Sequence, residues 1–398
     1  MAECYDVIVV GSGPGGATAA YFLAEKGLRV LVLERETLPR YKACGGGVSA
    51  RMLEIFPFSF DPVIESRVAS IRYDLRGRVV TIPMPERPMR MVMRADFDAY
   101  ILQHSRAEIR QGVAVSEVRE EADGVRVTTR TGEVFEGRFL VGADGASSVV
   151  AKSLGLRRQK PLAAAIEVEA QVKPEVFRRF ADKPVFIFGE IEMGYLWIFP
   201  KADHLSVGIG AFHPKPGELQ ATLARVMDAY EIDVRGQPTH GHPLPIYTQR
   251  EPIATAHSLL VGDAAGLIDP FTGEGIRFAI KSGRLAAEAI LSGDLAVYAK
   301  QVYRQIGSSH QVGVGLAYLF YRHPRACFAL GVRNPLATGA FIDLLSDRAR
   351  YPTLIFRLFA TLPAFLAAEG VAALAGVFGG RERRQRVRQA LYRLPLDG

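Results

Sequence analysis

The sequence predicts an α/β protein, α+β overall: a discontinuous Rossmann-like domain, a mixed β-sheet domain inserted into it, and a helical C-terminal region. Three observations predict this. A short apolar run over residues 5–10 leads directly into Gly11-Ser12-Gly13-Pro14-Gly15-Gly16 and then into a helical pattern. Strand-to-glycine turns of the same kind return at Gly142-Ala143-Asp144-Gly145 and at Gly262-Asp263-Ala264-Ala265-Gly266. The stretches between these turns alternate like strands, and from about residue 300 the chain is mostly helical and apolar.

Each element follows in order. Residues 17–26 read as a helix ended by Gly27, and residues 29–33 as a second buried strand ending at Glu34. Residues 67–93 read as short strands broken by turns at Gly77, Pro83, Pro85 and Pro88. Residues 96–108 read as a helix. Residues 113–118, 124–130 and 133–139 alternate as strands of a small sheet, and 139–141 form a buried strand running into the second glycine turn. Residues 163–212 read as strands with proline-bounded turns, 259–261 as a buried strand and 275–291 as a helix. The expected division is therefore 1–66, 94–160 and 250–300 for the nucleotide domain, 67–93 and 161–249 for the sheet-rich domain, and 301–398 for the helical region.

Composition bounds the function. The chain has 398 residues, 48% hydrophobic and 23% charged, as expected for a folded protein with a large core. Its three cysteines, Cys4, Cys44 and Cys327, make no paired pattern, so a reducing, cytoplasmic compartment is expected and a disulfide framework is not. Acids rather than a basic run occupy residues 1–6, which argues against a secretory leader. No stretch of about 20 uninterrupted apolar residues occurs, so a membrane-spanning helix is not expected. Residues 354–380 are apolar but interrupted by Arg357, Pro363 and Glu369, a pattern suited to helices that cover a cavity or touch an interface. The net charge of +7 rests largely on arginine, from coding bias or from attraction to anionic partners. Arg381, Arg383, Arg384, Arg386, Arg388 and Arg393 are not interleaved with stacking aromatics, which argues against nucleic acid. Two readings of this cluster stay open: a solvated tail, or a contact with anionic lipid headgroups at the inner face of a membrane.

The first glycine loop carries the clearest chemistry. Gly11 allows a tight turn, Gly13 lets the backbone approach a pyrophosphate, and Gly16 permits close helix–strand packing. The helix that follows offers unpaired N–H groups to phosphate, and Glu34 can accept the ribose hydroxyls. This motif does not separate NAD from FAD. The segment from Gly262 to Gly275 does, because Asp263 directly after a strand can bind a ribityl hydroxyl. Pro270, Gly273 and Gly275 would bring backbone and a helix N-terminus to the pyrimidine edge of a flavin. The rival reading of that segment is an ordinary strand–loop–helix with an aspartate cap. Tyr195, Trp197 and Phe199 alternate on one face of a strand, either as sheet core or as a flat wall for a hydrocarbon. His240 and His242 share a strand face without a third ligand near them in sequence, so no metal site is expected.

These motifs, with Lys42-Ala43-Cys44-Gly45-Gly46-Gly47, Arg94 with Phe97-Asp98, and Gly194-Tyr195-Leu196-Trp197-Ile198-Phe199-Pro200, resemble the para-hydroxybenzoate hydroxylase-like flavoproteins and, within them, the geranylgeranyl reductase family. The resemblance covers roughly residues 1–295. It implies a Rossmann-like FAD-binding domain that uses Gly11, Gly13, Pro14, Gly15, Gly16, Glu34, Arg35, Cys44, Gly45, Gly46, Arg94, Asp144, Gly262, Asp263, Pro270, Gly273, Gly275 and Ile276. It also implies that Cys44 lies near the reacting centre and that Tyr195, Trp197 and Phe199 line the substrate cavity. The activity implied is saturation of isolated C=C bonds in a polyprenyl chain, with hydride from reduced flavin and a proton from Cys44, since an apolar pocket keeps a thiol protonated. The reductant implied is NAD(P)H or a ferredoxin-type electron-donor protein, with no second dinucleotide fingerprint to decide between them. Two rivals share the flavin motifs: a class A aromatic monooxygenase, and a non-catalytic flavin and prenyl-lipid carrier. The Cys44–Gly47 loop and Gly273-Glu274-Gly275-Ile276 favour the reductase.

Overall fold

The computed structural model describes residues 4–84, 86–158 and 162–392; Pro85 and Arg393 lie outside them. The first sheet has seven strands. Its main path runs Glu108–Gln111, Val30–Glu34, Cys4–Val10, Val134–Gly142, Gly124–Thr129, Val115–Glu121, and Ser258–Leu260 pairs with Val134–Gly142 off that path. The branch arises because Val134–Gly142 changes partner along its length. Its start pairs antiparallel with Gly124–Thr129 over Val134 to Gly137, and its end pairs parallel with Ser258–Leu260 over Leu140 to Gly142. The stretch read from sequence as two strands, 133–139 and 139–141, is thus one strand serving both roles. Val7, Ile8, Val9, Leu31 and Val32 are fully buried, as parallel strands covered on both faces require. Each such side chain contributes about 1.5–3 kcal/mol of transfer free energy.

The expected helix 96–108 is corrected at its end. The helix is Arg94–Gln103, and Glu108–Gln111 is instead an edge strand parallel to Val30–Glu34. Sheet pairing at Leu31 to Glu34 overrides the local helical pattern there.

Two helices bring the halves of the nucleotide unit together. Pro14–Ala24 packs against Ile276–Ser292 across glycines. A Cβ on Gly283 would stand 2.2 Å from the Gly15 carbonyl oxygen, so the helix backbones meet directly.

The second sheet is mixed: His240–Pro245, Leu162–Ala170, Leu205–Phe212, Gly194–Pro200, Val185–Phe188, Ser70–Leu75 and Arg78–Pro83. Along Gly194–Pro200, Leu196 and Ile198 face one core with the helix Glu218–Ala229, while Trp197 and Phe199 face another. That helix was not anticipated from sequence. It starts after Gly217 in left-handed backbone (φ 77°), and Leu219, Leu223, Val226 and Met227 form its buried face. A small third sheet joins Gly47–Ser49, Met89–Met91 and Ser66–Arg67.

The C-terminal region is helical, as expected, with Ser308–Arg322 and Pro335–Leu345 preceding Tyr351–Tyr392. The last helix runs on past Pro363 and breaks only at Gly380 (φ 70°, ψ −172°). There the chain folds back, because Arg388 Nε reaches Glu369 Oε1 at 2.8 Å. By length and composition Tyr351–Arg388 could cross a membrane: one window has a mean hydropathy of 1.7, and 11% of it is buried. The sequence holds no uninterrupted apolar run of that length, and this segment qualifies by length and composition alone. Arg357 pairs with Asp343 and Glu369 with Arg388, so these interruptions are matched charges.

Replacing Gly283 by valine is expected to cost about 2 kcal/mol or more, since overpacking backbone against backbone admits no rotamer escape. Urea unfolding checks this. Gly27→Ala, facing open space at φ 85°, is expected to cost about 1 kcal/mol and serves as the comparison.

Candidate active site

The glycine loop between Cys4–Val10 and Pro14–Ala24 is shaped by contacts that exclude side chains. Gly11 has φ 97°, and a Cβ there would lie 2.4 Å from the Ala143 carbonyl oxygen; one on Gly16 would lie 2.1 Å from the Gly11 carbonyl oxygen. These two glycines fold the loop. Gly13, Pro14 and Gly15 line the cleft. Two guanidinium groups stand beside Gly13, with Arg94 Nη2 and Arg40 Nη2 3.8 and 3.9 Å from its hypothetical Cβ. Arg94 is buried and forks onto Asp98 at 2.8 and 2.7 Å, and Arg40 reaches the same carboxylate at 3.2 Å. Arg40 Nη1 is buried without a partner.

Glu34 ends its strand buried, accepting from the Ser12 N–H at 2.9 Å, the Ser12 hydroxyl and the Glu36 N–H at 3.0 Å. Burial alone would raise its pKa, but these donors and Arg40 hold it below the usual carboxylate value. Arg35 departs from the expected set: its side chain is 73% exposed, pairs with Glu36 and does not line the cleft. Asp144 also departs in role. Its carboxylate accepts from Ser148 Oγ, Val149 N and Val150 N and is spent on the start of the helix Val149–Ser153.

At the opposite end, Asp263 accepts from Lys42 at 3.4 Å and has His242 Nε2 at 3.6 Å. Burial pushes its carboxyl up, yet Lys42, His242 and Arg94 together hold it well below the usual range. Arg157, buried, donates to the carbonyls of Asp263 and Ala146 at 2.7 and 2.6 Å and so ties the second and third glycine turns together. Gly262, Asp263, Pro270, Gly273, Gly275 and Ile276 all border the same cleft as the first loop.

Cys44, Gly45 and Gly46 lie where the two sheets approach. Gly46 has φ 72°, and a Cβ on it would stand 2.0 Å from the Val92 carbonyl oxygen. Lys201, buried to 1% exposure, donates to the carbonyls of Gly45 at 2.9 Å and Val92 at 2.8 Å. Cys44 Sγ accepts from the Gly46 N–H at 3.4 Å. Directly against this loop stands the aromatic strand: a Cβ on Gly45 would lie 2.8 Å from Phe199 and 3.2 Å from Trp197 Nε1. Tyr195, Trp197 and Phe199 share one face with ring centroids about 6 Å apart, and Tyr195 donates to the Thr272 carbonyl. Phe186, Phe271, Tyr321 and Leu345 complete an apolar chamber. The whole cleft encloses about 1560 Å³ of empty space, part of it continuous with solvent.

An FAD binding domain family matches residues 4–60 and 72–292. The chain is 30% identical over 383 residues to a chloroplastic geranylgeranyl diphosphate reductase of Oryza sativa subsp. japonica, spanning 86% of this chain and 78% of the relative. It is 28% identical over 319 residues to a menaquinone reductase of Mycolicibacterium smegmatis, spanning 74% and 78%. A geranylgeranyl bacteriochlorophyll reductase-like structure from Thermoplasma acidophilum superposes with a TM-score of 0.72 at 25% identity, covering 92% of this chain and 98% of that one. The chain belongs to the geranylgeranyl reductase family of FAD-dependent oxidoreductases.

The residues present fit the flavin cofactor of that family. The unpartnered Arg40 Nη1, the open backbone at Gly13 and the N-terminus of Pro14–Ala24 converge where an anion would sit. Arg40, Arg157 and Lys201 were missed from sequence, because a lone cation in a chain with 49 lysines and arginines carries no local signal; Lys42 stands in the Cys44 motif but was given no role. His240 and His242 line the cleft, and among the described residues no cluster suited to a metal ion occurs.

Arg40→Ala is expected to weaken FAD binding about tenfold or more, as loss of one charge-assisted hydrogen bond predicts. Flavin fluorescence titration of the apoprotein checks it. Lys201→Met is expected to cost about 2 kcal/mol or more of stability by stranding the Gly45 and Val92 carbonyls, read by denaturant unfolding.

Proposed function

We propose that the protein saturates isolated C=C bonds of a polyprenyl chain, and that Cys44 supplies the proton. One observation carries this reading: an apolar aromatic chamber, walled by Tyr195, Trp197 and Phe199, abuts the Cys44–Gly47 loop beside the flavin cradle. Bound FAD, once reduced, supplies a hydride. The chain's own residues do the rest. Arg94, Arg40 and the first glycine loop would hold the pyrophosphate, Glu34 the adenosine ribose, and Asp263 the ribityl chain. The aromatic face would lay the hydrocarbon flat against the Cys44 loop and keep water out. An unactivated alkene resists hydride alone, and a thiol at Cys44 provides the second atom. The two curated relatives are named for different head groups, a diphosphate and a quinone, which leaves the prenyl tail as the part this reading assigns.

The C-terminal hairpin adds a delivery route. Phe356, Phe359, Leu366, Val371, Leu374, Val377 and Phe378 are exposed on Tyr351–Tyr392 and form an unbroken apolar face. Beyond Gly380 the arginines return beside that face, with Arg384 Cβ 3.2 Å from the Cβ site of Gly376. We read this as peripheral docking to an anionic bilayer at the inner membrane face, from which a lipid-borne prenyl chain enters the chamber.

With FAD, dithionite and geranylgeranyl diphosphate, product mass spectrometry is expected to find the mass of two added hydrogen atoms for each bond reduced. Cys44→Ala is expected to cut turnover about 100-fold, the usual worth of a positioned acid, with FAD still bound. Unchanged turnover would remove Cys44 from the reaction. In sedimentation with phosphatidylglycerol vesicles the protein is expected to pellet, and a Phe356→Ser, Phe359→Ser double variant to pellet about tenfold less. Equal partition of both would contradict docking.

A further inference from the structure

The Cys44 loop rests on a cluster of buried titratable groups that the reaction above does not use. Glu167, on Leu162–Ala170, is 2% exposed, and one of its oxygens accepts from the Tyr41 hydroxyl at 2.7 Å. Its other oxygen, Oε2, is buried with no hydrogen-bond partner. The Cys44 main chain lies against the same carboxyl. Glu167 also borders the cleft. Tyr41 is 43% exposed, so its hydroxyl links the buried carboxyl to the surface.

We propose that Glu167 is the proton store of the site: it holds a proton in the resting protein, passes it to Cys44, and is refilled from solvent through Tyr41. An ionised carboxylate with one orphaned oxygen, out of water, is costly, whereas a carboxylic acid is not. Burial pushes this carboxyl up, the Tyr41 hydroxyl pulls it down, Glu169 on the same strand adds repulsion, and the Cys44 N–H and Lys201 pull it down further, leaving it at about 7. The loop brings Tyr41, Lys42 and Cys44. The strand His240–Pro245 brings His240, directly opposite Glu167, and His242. The end of Gly194–Pro200 brings Lys201, and His204 is held by Glu169 at 3.1 Å. The strand Leu205–Phe212 offers only Gly208 at that register.

The proton balance is simple. Cys44 loses its S–H proton to the alkene carbon and becomes a thiolate. Glu167 and Cys44 both line the cleft but share no direct side-chain hydrogen bond, so the proton crosses through water there: the Glu167 O–H bond breaks, an S–H bond forms on Cys44, and a carboxylate is left. Tyr41 donates its hydroxyl proton to that carboxylate and takes one from water. No electrons move. Glu167 acts through Cys44 and is therefore a positioning and proton-supplying group rather than a catalytic residue. This inference rests on Cys44 as the acid.

Two measurements on the FAD-loaded protein test it. The first is infrared titration of the carboxylic-acid C=O stretch, which needs no turnover. A band is expected to disappear as pH rises through about 7, to be missing in Glu167→Gln, and to persist in Glu167→Asp. Glu274, also pushed up to about 7 by burial and by Asp269 and Asp347, gives a second band that Glu167→Gln leaves in place. The second is the pH profile of kcat. A raised carboxyl is protonated below about 7, so turnover is expected to fall above that pH. In Glu167→Gln, which keeps an acceptor for Tyr41, kcat is expected to drop about tenfold or more and the alkaline limb to vanish, with FAD content and KM unchanged. Tyr41→Phe is expected to lower kcat while leaving the infrared band. An identical set of acid bands in wild type and Glu167→Gln, or an unchanged pH profile in Glu167→Gln, would overturn the proposal. If no variant and no wild-type sample reduces an alkene, the reductase reading fails, and the infrared titration still decides whether Glu167 stores a proton.

Discussion

Lys201 sits at the end of an aromatic strand of the second sheet with 1% of its surface exposed, and its ammonium donates to the carbonyls of Gly45 and Val92. Removing an ammonium from water costs several kcal/mol, and preformed acceptors are what offset it. Here both acceptors belong to segments that leave the nucleotide-binding half. The cation therefore fixes the Cys44 loop to the wall that carries Trp197 and Phe199. Gly46 is held at positive φ by the same contact, with no room for a side chain between Val92 and Lys201. The chamber, the loop and the flavin cradle keep their mutual distances because this joint is satisfied. Burial lowers the Lys201 pKa and nearby Glu169 and Glu167 raise it, so the site balances charge as well as shape.

A second polar joint closes the chamber from the C-terminal side. Arg277, buried at 2%, pairs with Glu274 at 2.8 Å and donates to the Leu344 carbonyl at 2.6 Å. Tyr351 donates to Asp269 at 2.6 Å, and Tyr321 to the Phe271 carbonyl at 2.7 Å. The loop from Asp269 to Gly275 is thus held by side chains from two C-terminal helices, Tyr321 and Tyr351, and by Arg277, which is itself anchored to the Leu344 carbonyl. The region that bears the outward apolar face of the hairpin also holds the loop that lines the cleft.

Much of this was legible in the sequence where the physics is local. The glycine spacing at Gly11, Gly13 and Gly16 announced a strand–loop–helix, because only glycine tolerates those backbone approaches. The alternation of Tyr195, Trp197 and Phe199 gave a single face, and the structure turns it toward the cleft. What stayed hidden was decided by long-range pairing. Glu108–Gln111 is a strand only because Val30–Glu34 is beside it, and Val134–Gly142 is one strand because two partners share its edge. Asp144 looked like a cofactor ligand, yet its oxygens accept from a helix start four to six residues away. Arg35 follows Glu34 at the end of the strand and so points outward. Arg40, Arg157, Lys201 and Glu167 carry no motif, and their roles exist only through burial and the carbonyls or carboxylates folded against them.

Anaerobic single-turnover spectroscopy tests the central claim most directly. The FAD-loaded protein is reduced, freed of excess reductant and mixed with a polyprenyl substrate in the absence of oxygen, while flavin absorbance is followed. The account predicts that the flavin reoxidises at a rate that depends on the polyprenyl concentration, and that the chain gains hydrogen in step. Flavin that stays reduced across a set of diphosphate and quinone head groups, and reoxidises only when oxygen is admitted, would contradict it and favour an oxygen-activating enzyme on the same fold.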